Sequence, residues 1–174
     1  MKTLLLAVIV LIVSAMPAWA ELKIGYFDLQ KIVSLSDAGK QAQAQHSAKA
    51  RAYQHEIDSR SDKLKRLKEA IEALGKNMKP GEPVPTELVE KDKEYGVQSR
   101  ELQRVAGGFQ DELKVYEAEL TRKVVDEFSP VLRQFAITHK YDYILRSSDP
   151  LVFAHEKYDL TDALIKEFNR KRKQ

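Results

Sequence analysis

The placement of proline constrains this chain more than any other feature. Three of its six prolines fall within the ten residues "KNMKPGEPVP", at positions 76–85. The stretches on either side, 30–75 and 86–128, contain no proline and are rich in Ala, Gln, Lys and Glu, which favour helix. Because proline interrupts a helix, this segment either links two domains or forms the tip of a helical hairpin.

Strand-like sequence occurs only near the two ends of the chain and decides between these alternatives. "LKIGYFDL" at 22–29 is apolar and aromatic, and residues 143–154 hold two further apolar runs around the turn sequence "SSDP". Two strands alone are marginal in water, so we expect the first strand to join the last two. The chain must then leave the sheet and return, which makes 76–85 the tip of a hairpin. A linker would require two separate cores, and neither half has enough large apolar side chains for one.

Each limb of the hairpin carries a narrow apolar stripe. Its large side chains recur mostly at three-, four- and seven-residue steps, which is typical of a coiled-coil seam covered by one partner helix. We expect most of them to pack within the arm instead of contacting other molecules. A 40-residue limb would reach about 60 Å at about 1.5 Å per residue. The predicted seam residues are Ile57, Leu64, Leu67, Ile71, Leu88, Tyr95, Leu102, Phe109, Leu113, Tyr116 and Leu120.

The fold class predicted from these patterns is α+β, with a small sheet body built from both chain ends and a long antiparallel helical arm. Ser129 and Pro130 suit a helix start, so we expect the second limb to bend or restart there. The predicted domains are a discontinuous body of residues 21–36 and 129–174 and an arm of residues 37–128. Gly107 and Gly108, in the middle of the second limb, predict a kink or flexible point.

The first twenty residues have the parts of a cleavable signal peptide. Lys2 precedes an apolar run at 4–13, and Ala18 and Ala20 form an A-x-A site, which predicts cleavage between Ala20 and Glu21. The apolar run is too short to span a bilayer, which takes about 20 residues. We therefore expect the mature chain to be exported.

Composition argues against an enzyme and against a metal site. The chain contains no cysteine, which excludes thiolate catalysis and cysteine-ligated metals. Its four histidines have no metal-binding spacing, and no glycine-rich phosphate loop follows a strand. We therefore predict no catalytic residue, no metal and no cofactor. The histidines are His46, His55, His139 and His155.

Charge is nearly balanced along the arm. Residues 37–75 hold eight basic and six acidic side chains, and residues 86–128 hold seven basic and eleven acidic ones. This balance does not favour strong attraction to lipopolysaccharide or an anionic bilayer, and together with export it argues against nucleic-acid binding. The basic residues within 166–174 suit the negative end of a helix dipole, although contact with a phosphate-bearing surface is the alternative.

Three segments resemble the OmpH-like (Skp) family of periplasmic chaperones: "KIGYFDLQKIVSLSDAGKQAQ", "YDYILRSSDPLVFA" and "YDLTDALIKEFN". The resemblance covers essentially the whole mature chain. It implies a homotrimer with a central β-body, whose three arms enclose unfolded outer-membrane proteins without ATP or metal. The body and trimer contacts that it implies are Ile24, Tyr26, Ile144, Leu145, Val152 and Phe153.

The resemblance implies an ATP-independent periplasmic holdase. Widely spaced apolar side chains among mobile charges suit it, because many weak contacts together give avidity. A scaffolding coiled-coil protein of the cell envelope without clients is the alternative. The tip side chains cannot easily join the seam, so we expect them to be exposed, either as client contacts or as an ordinary solvated turn. These residues are Met78, Pro80, Pro83 and Val84.

Overall fold

A computed structural model describes residues 22–79, 81–147 and 151–174. The predicted cleavage-site residues Ala18, Ala20 and Glu21 lie outside this part of the chain, as does Pro80 at the tip. In chain order the elements are β1 (Ile24–Phe27), α1 (Leu29–Leu35), α2 (Asp37–Lys76), α3 (Thr86–Thr138), β2 (Tyr143–Arg146), a 3₁₀ turn (Glu156–Tyr158) and α4 (Thr161–Arg172). A small sheet from the chain ends and a long hairpin of α2 and α3 confirm the predicted fold class.

The sheet brings together segments that are far apart in sequence. β1 and β2 pair in parallel, with Ile24 beside Tyr143 and Tyr26 beside Leu145. Parallel strands need a crossover connection, and here the crossover is the whole hairpin. The backbone N–H of Lys23 donates to the Asp142 carboxylate at 2.7 Å, which fixes the start of the pairing.

The predicted strand after the "SSDP" turn is absent from the described part of this chain. Residues 151–155 form no strand, and the side chains of Val152 and Phe153 are 94% and 85% exposed. The prediction of two C-terminal strands in one protomer is therefore wrong. An apolar run indicates a segment that gains from burial, but it does not show that the covering partner belongs to the same chain.

The body core is centred on Phe128. Its ring centroid lies 5.6 Å from that of Phe27 on β1 and 5.6 Å from that of Phe168 on α4. Both are within the range at which aromatic rings attract each other beyond their simple burial. Three separate parts of the chain therefore meet at one side chain. The buried apolar residues of the core are Phe27, Ile32, Ala38, Val124, Phe128, Leu160, Leu164 and Phe168.

Ser36 directs the chain from α1 into the arm. Its hydroxyl accepts a hydrogen bond from the backbone N–H of Gly39 at 3.1 Å and caps α2, which satisfies an N–H that has no partner within the helix. A Cβ at Gly39 would overlap the carbonyl group of Val33, so glycine is required there. The Asn169 side chain on α4 accepts from the N–H of Asp37 at 2.8 Å. The root of the arm is thus held from both chain ends.

Helix α3 runs without interruption past Pro130, so the prediction of a restart at Ser129 and Pro130 is wrong, whereas a bend at this point stays a prediction. Proline within a helix costs about 3 kcal/mol. The core lies against α3 on both sides of this point, through the buried Val124 and Phe128 before it and through Leu132 after it. Packing on both sides outweighs the local penalty. The Ser129 hydroxyl, which was predicted to cap a new helix, instead donates to the carbonyl of Val125 at 2.8 Å.

The arm joins its two helices through a short turn in which Gly81 has a φ of 90°. That left-handed conformation is accessible to glycine at little cost. Gly107 and Gly108 lie within continuous helix, and nothing stands within 4 Å of a Cβ added at either position. A flexible point at this pair stays a prediction. No helix in the described part of the chain is both long and apolar enough to cross a membrane.

We predict that Phe128→Ala destabilises the body severely. The Phe128 side chain is 2% exposed, and removing a buried phenylalanine ring typically costs about 3–5 kcal/mol. Urea denaturation at a fixed protein concentration measures this loss. Val89→Ala, at an exposed position on the same helix, should change the unfolding free energy by less than about 1 kcal/mol. Equal effects of the two substitutions would contradict a core centred on Phe128.

Candidate functional site

The apolar seam of the arm is only half-buried. All eleven predicted seam residues have intermediate exposure, and no residue in 40–79 or 81–123 is buried. Two helices side by side cannot enclose a side chain from every direction, so each seam residue keeps one side towards solvent. Each seam side chain therefore remains partly exposed along the whole arm, and the described residues of the arm enclose no buried core.

One cluster in the arm, which we call the aromatic clamp, consists of Lys49, Tyr53, Phe109, Glu112 and Tyr116. The rings of Tyr53 and Phe109 stack with centroids 4.0 Å apart and planes 3° from parallel. The Tyr53 hydroxyl donates to the Glu112 carboxylate. The Lys49 ammonium lies 3.8 Å from the same carboxylate and 4.6 Å from the centre of the Tyr116 ring. The clamp thus joins α2 and α3 by stacking, hydrogen bonding and charge together.

The clamp divides the arm into two unequal parts. Among the described residues, its hydrogen bond and its ion pair are the only ones between side chains of α2 and α3. Beyond Tyr53 and as far as Lys76, a distance of about 35 Å at 1.5 Å per residue, no side-chain hydrogen bond or close ion pair joins the two helices in the described residues. The part of the arm beyond the clamp is therefore held less firmly than the part next to the body.

Helix α3 also carries exposed valines that lie off the seam. Val89, Val97 and Val115 are 56%, 52% and 60% exposed, whereas no large apolar side chain on α2 reaches comparable exposure in the described residues. The heptad pattern that predicts the seam does not include these valines, so they were not predicted as candidate site residues. The sequence nevertheless holds a signal for exposed apolar side chains, because these valines lie outside the heptad positions, on a side of the helix that is otherwise polar.

Two of these valines lie in shallow grooves between the arm helices. Val97 lines a groove of about 400 Å³ whose walls carry both signs of charge, including Arg60 and Glu101. Val115 lines a groove of about 350 Å³ beside Asp111 and Glu119. The two valines are eighteen residues apart, which is five full helical turns, so they lie on the same side of α3 about 27 Å apart.

The tip agrees only in part with its prediction. Pro83 and Val84 are exposed, as expected, and Val84 is 56% exposed to solvent. Met78 is half-buried, so the prediction of an exposed Met78 is wrong. Its backbone N–H bonds to the carbonyl of Gly75 at 3.3 Å, which turns the chain back towards the last turn of α2.

The outer face of the sheet presents a second apolar surface, on the body. Strand register places Ile24 beside Tyr143 and Tyr26 beside Leu145, and all four belong to the face away from the core. Ile24, Tyr143 and Leu145 are 39%, 58% and 46% exposed. Side chains of this kind gain from being covered by another surface.

The other predicted body contacts have different surroundings. Ile144 pairs with Gly25 on the inner face of the sheet and packs against the core of its own protomer. Val152 and Phe153 lie in the irregular segment after β2 and are among the most exposed apolar residues of the described chain. The six residues therefore divide into one that faces the core and five that lie partly or fully at the surface.

The histidines do not converge on a site. His46 lines an open groove of about 800 Å³ at the root of the arm, the His139 ring lies 4.3 Å from the Phe135 ring at an angle of 41°, and His155 accepts a hydrogen bond from the N–H of Lys157. Within the described residues, no three His, Cys, Asp or Glu side chains are placed to hold a metal ion.

Comparison with known proteins agrees with this architecture. Residues 23–168 match the family model described as outer membrane protein (OmpH-like). The chain belongs to the OmpH-like family. The matched residues run from the start of the sheet into α4, so they include the body segments from both chain ends and the whole arm. Family membership therefore rests on the complete architecture and not on one element.

A solved structure shares the fold of this OmpH-like protein. It is the crystal structure of a protein from Caulobacter crescentus described as an OmpH-like outer membrane chaperone. The two chains superpose with a TM-score of 0.75 over 87% of this chain and 86% of the other, at 18% sequence identity. No curated protein gives a significant sequence match. The arm-and-body fold is thus retained between sequences that differ at most positions.

We predict that Tyr53 titrates above the ordinary range of tyrosine. The hydrogen bond to the Glu112 carboxylate favours the protonated phenol and raises its pKa above 10.0. This contact therefore stabilises the arm below the ordinary tyrosine pKa and is lost as pH rises through the higher value of the folded protein. Subtracting the alkaline tyrosinate absorbance of Tyr53→Phe from that of the parent protein isolates the transition.

Glu112→Ala provides the control for this titration. It removes the acceptor while keeping a good helix former in α3, so the Tyr53 transition should move to lower pH. An unchanged transition in that variant would show that the carboxylate is not the cause.

Proposed function

We propose that this protein is an ATP-independent holdase chaperone of the periplasm, which binds unfolded outer-membrane proteins and prevents their aggregation. The observation that carries the proposal is the arm of about 60 Å, which has half-buried apolar side chains along its length and no closed core. Membership of the OmpH-like family supports it, as does the shared fold of a protein described as an outer membrane chaperone.

Weak contacts repeated along one surface account for both capture and release. Each exposed valine or half-buried seam residue offers a small apolar contact, and a long unfolded chain makes several of them at once. Linked weak contacts bind much more tightly than any single one, while each still opens and closes quickly. No fuel is needed when the client leaves by losing these contacts one after another.

Self-association into a homotrimer is part of the proposal. The outer face of the sheet is apolar, Val152 and Phe153 are largely exposed within the described part of the protomer, and β2 is an edge strand of a two-stranded sheet. Edges and apolar faces of this kind favour pairing with other chains. We propose that residues 21–36 and 129–174 act as the association body, that residues 37–128 act as the client-binding arm, and that cleavage after Ala20 releases the protein into the periplasm.

We predict that the chain from residue 21 to residue 174 suppresses aggregation of an unfolded outer-membrane β-barrel protein without nucleotide. Light scattering after dilution of the barrel from urea measures the effect, which should saturate near one trimer per client. Aggregation that proceeds as in buffer alone would reject the holdase and leave the envelope scaffold as the explanation. Met78→Ser with Val84→Ser, which removes the apolar tip, shows whether the tip takes part in capture.

We predict that Leu145→Asp on the outer face of the sheet prevents assembly. A carboxylate placed in an apolar interface loses its hydration without gaining a partner, which typically costs several kcal/mol. Multi-angle light scattering at micromolar concentration should give a trimer for the parent and a smaller species for the variant. Val89→Asp on the arm is the matched control and should remain trimeric. A monomeric parent would contradict the homotrimer.

A further inference from the structure

We infer that the surface around Val115 binds extended polypeptide segments in which an apolar side chain has a Lys or Arg two residues away on each side. This inference rests on the proposed chaperone function and specifies one client site and the client chemistry that it prefers. The site comprises Val115 with Asp111 and Glu119, in the groove between the two arm helices next to the aromatic clamp.

The apolar part of the site is the side chain of Val115. It is 60% exposed on a helix whose other apolar residues mostly face the seam. Its neighbours one turn away on the same side of the helix are Asp111, four residues before it, and Glu119, four residues after it. An apolar contact point therefore lies between two carboxylates on a single stripe of α3.

These two carboxylates are available to a partner. In the described part of the chain, neither Asp111 nor Glu119 forms an ion pair or a side-chain hydrogen bond, whereas Glu112 is already engaged by Tyr53 and Lys49. Lys49 is the only cation that lines this groove, and it is held by the clamp. The field at Val115 is thus negative on both sides, which favours a cationic partner.

The corresponding groove at Val97 lacks this property. Its residues one helical turn away are Lys93 and Glu94 on one side and Arg100 and Glu101 on the other, so both signs of charge surround the valine. The Val97 surface therefore offers apolar contact without a preference for charge. Of these two groove valines, only Val115 has carboxylates as its charged neighbours one turn away on each side.

The spacing selects an extended client. Four residues of α-helix advance about 6 Å, and two residues of an extended strand advance about 6.6 Å. Side chains two positions apart on a strand point to the same side, so a segment of the form cation–x–apolar–x–cation matches the carboxylate–valine–carboxylate stripe. A helical client would need its cations three or four positions from the apolar residue.

Fluorescence anisotropy of labelled ten-residue peptides with the mature protein tests the inference. A peptide containing Lys-Ser-Leu-Ser-Lys should bind about fivefold more tightly than one containing Glu-Ser-Leu-Ser-Glu, as two exposed ion pairs would give, and more tightly than Lys-Ser-Ser-Ser-Lys. The difference should shrink in high salt, because exposed ion pairs are screened. Equal affinities for the Lys and Glu peptides would overturn the inference, while the aggregation assay would separately decide the chaperone function.

Matched variants locate the site. Asp111→Asn with Glu119→Gln should abolish the preference for the Lys peptide, and Val115→Ser should weaken its binding. Val89→Ser, at a similarly exposed valine on the same helix, should leave the preference unchanged. Helical circular dichroism verifies that each variant is folded. If Val89→Ser has the same effect as Val115→Ser, or if Val115→Ser changes the oligomeric state, then this surface is not a client site.

Discussion

The parallel pairing of β1 with β2 is the constraint on which the rest of the structure depends. Parallel neighbours cannot be joined by a tight turn, so the chain between them must cross over. Here the crossover has been extended into an arm whose helices are 40 and 53 residues long. Both roots of the arm are fixed in the body, by the Ser36 cap on α2 and by Phe128 on α3. The direction of the arm is therefore set at its base.

Half-burial along the arm follows from having only two helices. An apolar side chain between them gains part of the free energy of full burial and retains a face towards solvent. The aromatic clamp adds directional contacts at one level, and beyond it no side-chain hydrogen bond or close ion pair joins the helices in the described residues. Such a surface can exchange contacts with its surroundings without first unfolding, which is the physical basis for proposing a binding role.

Much of this architecture was predictable from the sequence, since proline placement and heptad spacing are local signals. Two failures have physical causes. The sequence around Pro130 has a local preference for a helix start, but packing of Phe128 and Leu132 on one core keeps α3 continuous. The apolar run at Val152 and Phe153 indicates a need for cover and cannot indicate which chain provides it. The Val115 site was not predicted, because the sequence does not show which side of α3 remains exposed once α2 has packed against it.

The long-range bonds of the body have a consequence for how the protein itself must fold. The N–H groups of Asp28 and Asp37 are bonded to Thr161 and Asn169, which are 133 and 132 residues later in the chain. Closing such long loops is slow, because the entropy is lost before the contacts form. During synthesis the apolar residues of β1 and α1 therefore have no core to enter until the last helix has been made. Until then, the nascent chain is itself an incompletely folded polypeptide with exposed apolar segments.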